Sequence, residues 1–122
     1  MTILIVEPDR APCCNEIEDG LENMQSIVGG YIQAVYPFEE PVALVCNEEA
    51  KLEDLPSNRA LRDEEGRIYD IICGTFFLCS APPDSEIFES LTEEQVDRYT
   101  RLFQHPEVFL RVNGKLVAVP VA

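Results

Sequence analysis

The sequence predicts an α+β fold: one domain over residues 1–122, built on a mixed, largely antiparallel sheet of five or six strands with two helices packed on one face. Three observations predict it. Short apolar runs bounded by Pro, Gly, Asp and Asn recur along the chain, the pattern of strands joined by tight turns. Only two segments, near residues 21–28 and 93–103, place apolar side chains at helical spacing. The chain has 122 residues, 46% of them hydrophobic, which suffices for one core and excludes a disordered acidic tail.

Residues 2–6 form an apolar run stopped by Glu7-Pro8-Asp9, read as a buried strand and not as a signal peptide or membrane span. Residues 13–17 extend as an edge strand. Asp19, with Glu22 three places on, is the expected cap of a short helix whose Leu21, Met24, Ile27 and Val28 share a face. Gly29-Gly30 closes that helix, because glycine accepts the left-handed conformation. Residues 31–36 alternate as a strand ended by Pro37, and residues 42–46 form a second, fully apolar one. Residues 47–67 are polar, with few apolar anchors, and are expected to be irregular. Residues 68–80 are the most hydrophobic part of the chain and are expected at the centre of the sheet, with Gly74 as a bulge. Thr92 with Gln95 makes a capping box, and Val96, Tyr99, Leu102 and Phe103 an apolar helix face. Glu94 with Arg98 and Asp97 with Arg101 are spaced as i,i+4 pairs. Asn113-Gly114 between two apolar runs predicts a type I′ hairpin pairing 112 with 115, 110 with 117 and 108 with 119. Val108, Leu110, Val112, Val117 and Val119 then share a face, broken only by Lys115, that is core or interface.

The net charge of −14 excludes nonspecific binding to nucleic acid or to anionic membranes, both of which would repel the chain. The excess is uneven. Residues 1–58 hold 12 acids against 2 bases, and residues 59–122 hold 11 against 7. Acids of the first half, gathered on one face, would steer a basic protein toward it. The five cysteines are odd in number and include no C-x-x-C pair, so neither a disulfide framework nor a zinc ribbon is expected. A reducing cytoplasm fits, with Cys46, Cys73 and Cys79 as core residues.

No phosphate-binding glycine loop is present, since Gly29-Gly30 ends a helix, and His105 is the sole histidine. No catalytic residue, metal ligand or cofactor is expected. One polar group stands out in a chain with nine cations: Asn58, Arg59, Arg62 and Asp63. Arginine holds carboxylate or phosphate through two parallel hydrogen bonds, so these four are the candidate ligand-binding residues for a small anion or nucleotide. The competing reading has the arginines pin a long loop onto the sheet through nearby acids.

The ordered blocks Gly-Gly-Tyr (29–31), Cys-Asn-Glu-Glu (46–49), Asn-Arg-Ala-Leu-Arg-Asp (58–63) and Gly-Thr-Phe-Phe (74–77) resemble a family known as domain of unknown function 3846, common in Firmicutes and in their conjugative elements and phages. The resemblance covers about residues 1–103 and leaves the hairpin region, 104–122, outside. It implies a cytoplasmic accessory protein of mobile-element type, often encoded beside antirestriction and DNA-processing proteins. The expected function is therefore that of a non-enzymatic interaction protein whose acidic surface binds a basic nucleic-acid-processing or restriction protein. An anionic-ligand domain using Arg59 and Arg62 is one alternative. A structural or oligomerisation module using the hairpin is another, with the oligomeric state left open.

Overall fold

Two apolar runs without polar alternation, Val42–Asn47 (β4) and Phe76–Ser80 (β7), set the architecture, because such strands need cover on both faces. In the computed structural model, which describes residues 1–121, they pair antiparallel, with Leu44 opposite Leu78 and Val45 opposite Phe77. Thr2–Val6 (β1) joins the other side of β7, Cys13–Glu16 (β2) follows β1, and Ile32–Val35 (β3) follows β4. The order is β2-β1-β7-β4-β3, every pairing antiparallel.

The α+β class, the five-stranded sheet and the two helices are those expected. The helices, however, lie on opposite faces. Along β1, β4 and β7 the side chains alternate between two buried clusters. Ile3, Ala43, Val45, Phe77 and Cys79 pack with Val28, Met24 and Ile27 of Leu21–Val28 (α1). Leu4, Val6, Leu44, Phe76 and Leu78 pack with Tyr99 and Val96 of Glu93–Leu102 (α2), and with Phe103 just beyond it. A sheet apolar on both sides cannot leave one in water. An eight-residue helix covers only one of them.

The second face needs more than α2, and residues 47–67 supply it. They are not all irregular: Ser57–Arg62 (β5) pairs with Ile68–Cys73 (β6) in a separate two-stranded ribbon that packs Leu61 and Ile72 onto the α2 side. The run expected as one strand over 68–80 is accordingly two. β7 is the centre of the main sheet and β6 belongs to the ribbon. Gly74 makes the corner: φ is +76°, its N–H donates to Pro56 O at 2.7 Å, and a Cβ there would lie 2.9 Å from Leu55 Cδ1. Only glycine satisfies both the conformation and the approach.

Helix ends follow the sequence in part. Thr92 and Gln95 form the capping box, with Gln95 N–H donating to Thr92 Oγ1 at 3.1 Å and Thr92 N–H to Gln95 Oε1 at 2.9 Å. Asp19 is not the cap of α1; Gly20 occupies that position with no side-chain bond, and Gly29 closes the helix at φ +77°. Leu102 is exposed, and Arg98 turns to Glu40 instead of Glu94.

The chain ends in the hairpin Glu107–Val112 (β8) and Lys115–Pro120 (β9). Its register is the expected one, with Asn113 and Gly114 at φ 51° and 79°. It stands as its own two-stranded sheet, and the valine-rich face lies outside the core.

Candidate functional site

Residues 58–62 of the candidate block lie on β5 with Asp63 just beyond it; residues 58–61 are all buried, and Arg62 is exposed at the strand's end. Asn58 is 1% exposed. Its Nδ2 donates to Val6 O and Gly74 O, both at 2.9 Å, and its Oδ1 accepts from Arg59 Nη1 at 2.7 Å. It thereby fastens the end of β1 and the Gly74 corner to the ribbon. Arg59 is equally buried. Its Nε and Nη2 donate to Phe103 O at 3.2 and 2.9 Å, and Nη2 also donates to Arg10 O at 2.6 Å. The guanidinium thus lies at the C-terminal end of α2, where the helix dipole favours a cation. Burial lowers its pKa, while Glu107 and Asp9 act in the opposite direction.

Arg62 and Asp63 stand at the rim. Arg62 Nη2 donates to Glu107 Oε2 at 2.6 Å, and the other oxygen of that buried carboxylate accepts the Ala60 N–H at 2.9 Å. Asp63 Oδ1 accepts from Glu65 N and Arg67 N, closing the β5–β6 turn. The structure therefore brings Asn58 and Arg59 together inside the fold and leaves Arg62 and Asp63 outside it. The two guanidiniums do not converge. Arg62 alone lines a cavity of about 180 Å³ with Phe38, Leu61, Tyr69 and Glu107, smaller than the 300 Å³ or more usual for a ligand pocket.

The motif blocks interlock. Asn47, 3% exposed, donates from Nδ2 to Val28 O at 3.2 Å and accepts Glu49 N–H at 2.8 Å. A Cβ on Gly30 would lie 2.9 Å from that Nδ2. Gly-Gly-Tyr is thus shaped to Cys-Asn-Glu-Glu, as Asn58 is to Gly74.

A second cleft, about 140 Å³, lies between β4 and β6, lined by Cys46, Cys73, Lys51 and Asp70. Lys51 Nζ and Asp70 Oδ1 pair at 2.9 Å, and Asp70 raises the Lys51 pKa. Burial raises the Cys46 pKa and pushes Cys79 up to about 12, so neither thiol is a ready nucleophile. All five cysteines are free; Cys13 and Cys14 are exposed on β2. Among the described residues, no group of three or more His, Cys, Asp or Glu is arranged to hold a metal ion, and no helix is long and apolar enough to cross a membrane.

Of the 23 acids, 20 are exposed. The other three, Glu40, Asp70 and Glu107, are each paired, with Arg98, Lys51 and Arg62. The first-half acids do not share one face, because antiparallel strands send successive connections to opposite ends of the sheet. Connections 7–12 and 48–56 leave at one end with six acids and two cations. Connections 17–20, 36–41 and 81–92 leave at the other with seven acids, Glu18, Asp19, Glu39, Glu40, Asp84, Glu86 and Glu89, and no Lys or Arg. Ala81 N–H donates to Pro41 O, joining 81–92 to 36–41, while Leu91 N–H donates to Thr2 O and Ile17 N–H to Met1 O, holding 81–92 and 17–20 at the same end of β1. Sequence reading by halves missed this pole, since three of its acids lie beyond residue 58.

An α+β domain with an interior arginine hub and one strongly acidic end is the class these features define. The chain belongs to the family described as a domain of unknown function (DUF3846), whose profile matches residues 1–104. The hairpin lies wholly beyond that match. No curated protein and no solved structure matches the chain.

Proposed function

We propose that this protein is a non-enzymatic accessory protein that binds a basic protein of nucleic-acid processing or restriction, through the acidic end of its sheet, in the cytoplasm. One observation carries the reading: three connections meeting at that end supply seven acids and no Lys or Arg. Two cations border them: Arg98 of α2, paired with Glu40, and the Met1 ammonium, which donates to Ile17 O at 2.7 Å. A concentrated single-sign field of this kind accelerates encounter with an oppositely charged surface and orients it. The resemblance to proteins of mobile elements supports a partner among DNA-processing proteins. The buried Asn58 and Arg59 then serve the scaffold that holds the connections in place.

The test neutralises one end at a time. Full-length protein should retain basic DNA-binding proteins at low salt and release them at high salt. The variant Glu39→Gln, Asp84→Asn, Glu86→Gln, Glu89→Gln should lose them, whereas neutralising Glu48, Glu49, Glu53 and Asp54 at the other end should not. Equal loss from both variants would reduce the effect to net charge and overturn a role for this end.

A further inference from the structure

The least explained surface is the β8–β9 hairpin. One of its faces carries Val108, Leu110, Val112, Val117, Val119 and Val121, each 36–50% exposed, with the exposed Lys115 opposite Val112 at the turn end. The half-buried Phe109 and Ala118 lie on the opposite face. The hairpin is held to the domain through Glu107, which accepts from Ala60 N and Arg62 Nη2 on β5. A two-stranded ribbon with an uncovered aliphatic face is marginal in water, and a contiguous apolar patch of this extent marks an interaction surface.

We infer that this face is a homodimer interface, in which the hairpins of two copies stack face to face about a two-fold axis. Charge selects the occupant. The chain carries −14, so two copies repel wherever their acids approach. From residue 106 onward the one acid is Glu107, whose carboxylate is buried and paired with Arg62, whereas Arg111 and Lys115 are exposed. The hairpin is therefore where a second copy can approach without setting acids against acids. A basic partner, suited to the far end of the sheet, meets two cations here. The aliphatic face is also self-complementary, as an isologous contact requires.

Extent sets the strength. Six side chains, each with roughly 60–80 Å² in water, give on the order of 400 Å² per copy and 800 Å² in the pair. That lies at the weak end of specific interfaces, so the dimer forms and dissociates with a dissociation constant of about 1–100 μM.

Sedimentation of the full chain across a concentration series tests this. The mass should rise from 13.8 kDa toward twice that value. The double variant Leu110→Glu, Val117→Glu, altered only at exposed positions, should weaken association at least about 100-fold. Ile87→Glu, at an exposed apolar site elsewhere, should leave it unchanged. Monomer up to about 1 mM, or a dimer that survives the double variant, overturns the proposal. Hydrogen exchange on the unaltered protein gives a second readout: amides of 107–120 should gain protection with concentration, and no gain also overturns it.

Discussion

Arg59 illustrates how far a residue's role depends on what surrounds it. In the sequence it is one of three arginines within nine residues, a spacing that fits an anion clamp as well as a structural tie. In the fold its guanidinium reaches carbonyl oxygens of Phe103, Arg10 and Asn58 and is 1% exposed. Removing it leaves those acceptors without donors in the interior, which costs more than the charge's desolvation returns. Arg59→Met should therefore lower unfolding stability by about 2–4 kcal/mol, read as a urea midpoint shift with unchanged slope. A loss below about 0.5 kcal/mol would show that the bonds contribute nothing. That this block would matter was legible, because Arg59, Arg62 and Arg67 cluster there in a chain with nine cations. Whether they face solvent was not, since SNRALR has little strand character of its own and its consecutive Asn58 and Arg59 are both buried, at a register irregularity that alternation does not foretell.

At the scale of elements, α2 and the hairpin were the most legible parts. Both are specified by local chemistry: the Thr92 capping box, and two residues that accept positive φ in a type I′ turn. The β5–β6 ribbon and the corner at Gly74 depend instead on contacts far along the chain, such as Asn58 to Val6. Docking of α2 onto the sheet shows the same dependence. Glu40, between β3 and β4, accepts from the Tyr99 hydroxyl, Arg98 and Gln95 of α2. The Tyr99 bond, above all, holds the Glu40 carboxyl below its ordinary 4.5, against the opposing effect of burial. Because the folded pKa is the lower one, this stabilisation is complete above the unfolded value and is lost as pH falls through the folded one. Glu40→Gln should cost about 1 kcal/mol near pH 7 and almost nothing below the folded pKa, so its melting curve should approach that of the parent on acidification. A deficit that stays constant with pH would assign the loss to packing.

Over the whole molecule, charge opposes compactness. Twenty exposed acids, against nine cations in all, leave a surface that repels itself. Raising salt from about 0.01 M to about 1 M shortens the screening length from roughly 30 Å to 3 Å. The melting temperature should then rise by about 5 °C or more, although the few ion pairs weaken. A fall with salt would mean that the pairs at Glu40, Asp70 and Glu107 outweigh the repulsion. By itself the sequence determined the α+β class, the strongly capped helix, the hairpin register and the net charge, because each follows from composition or from neighbours a few residues apart. Only the tertiary structure decided that the helices take opposite faces, that Arg59 is interior, and that acids from three distant connections meet at one end of the sheet. Those outcomes depend on strand order and direction, which are settled by burial of both sheet faces at once and not by any local segment.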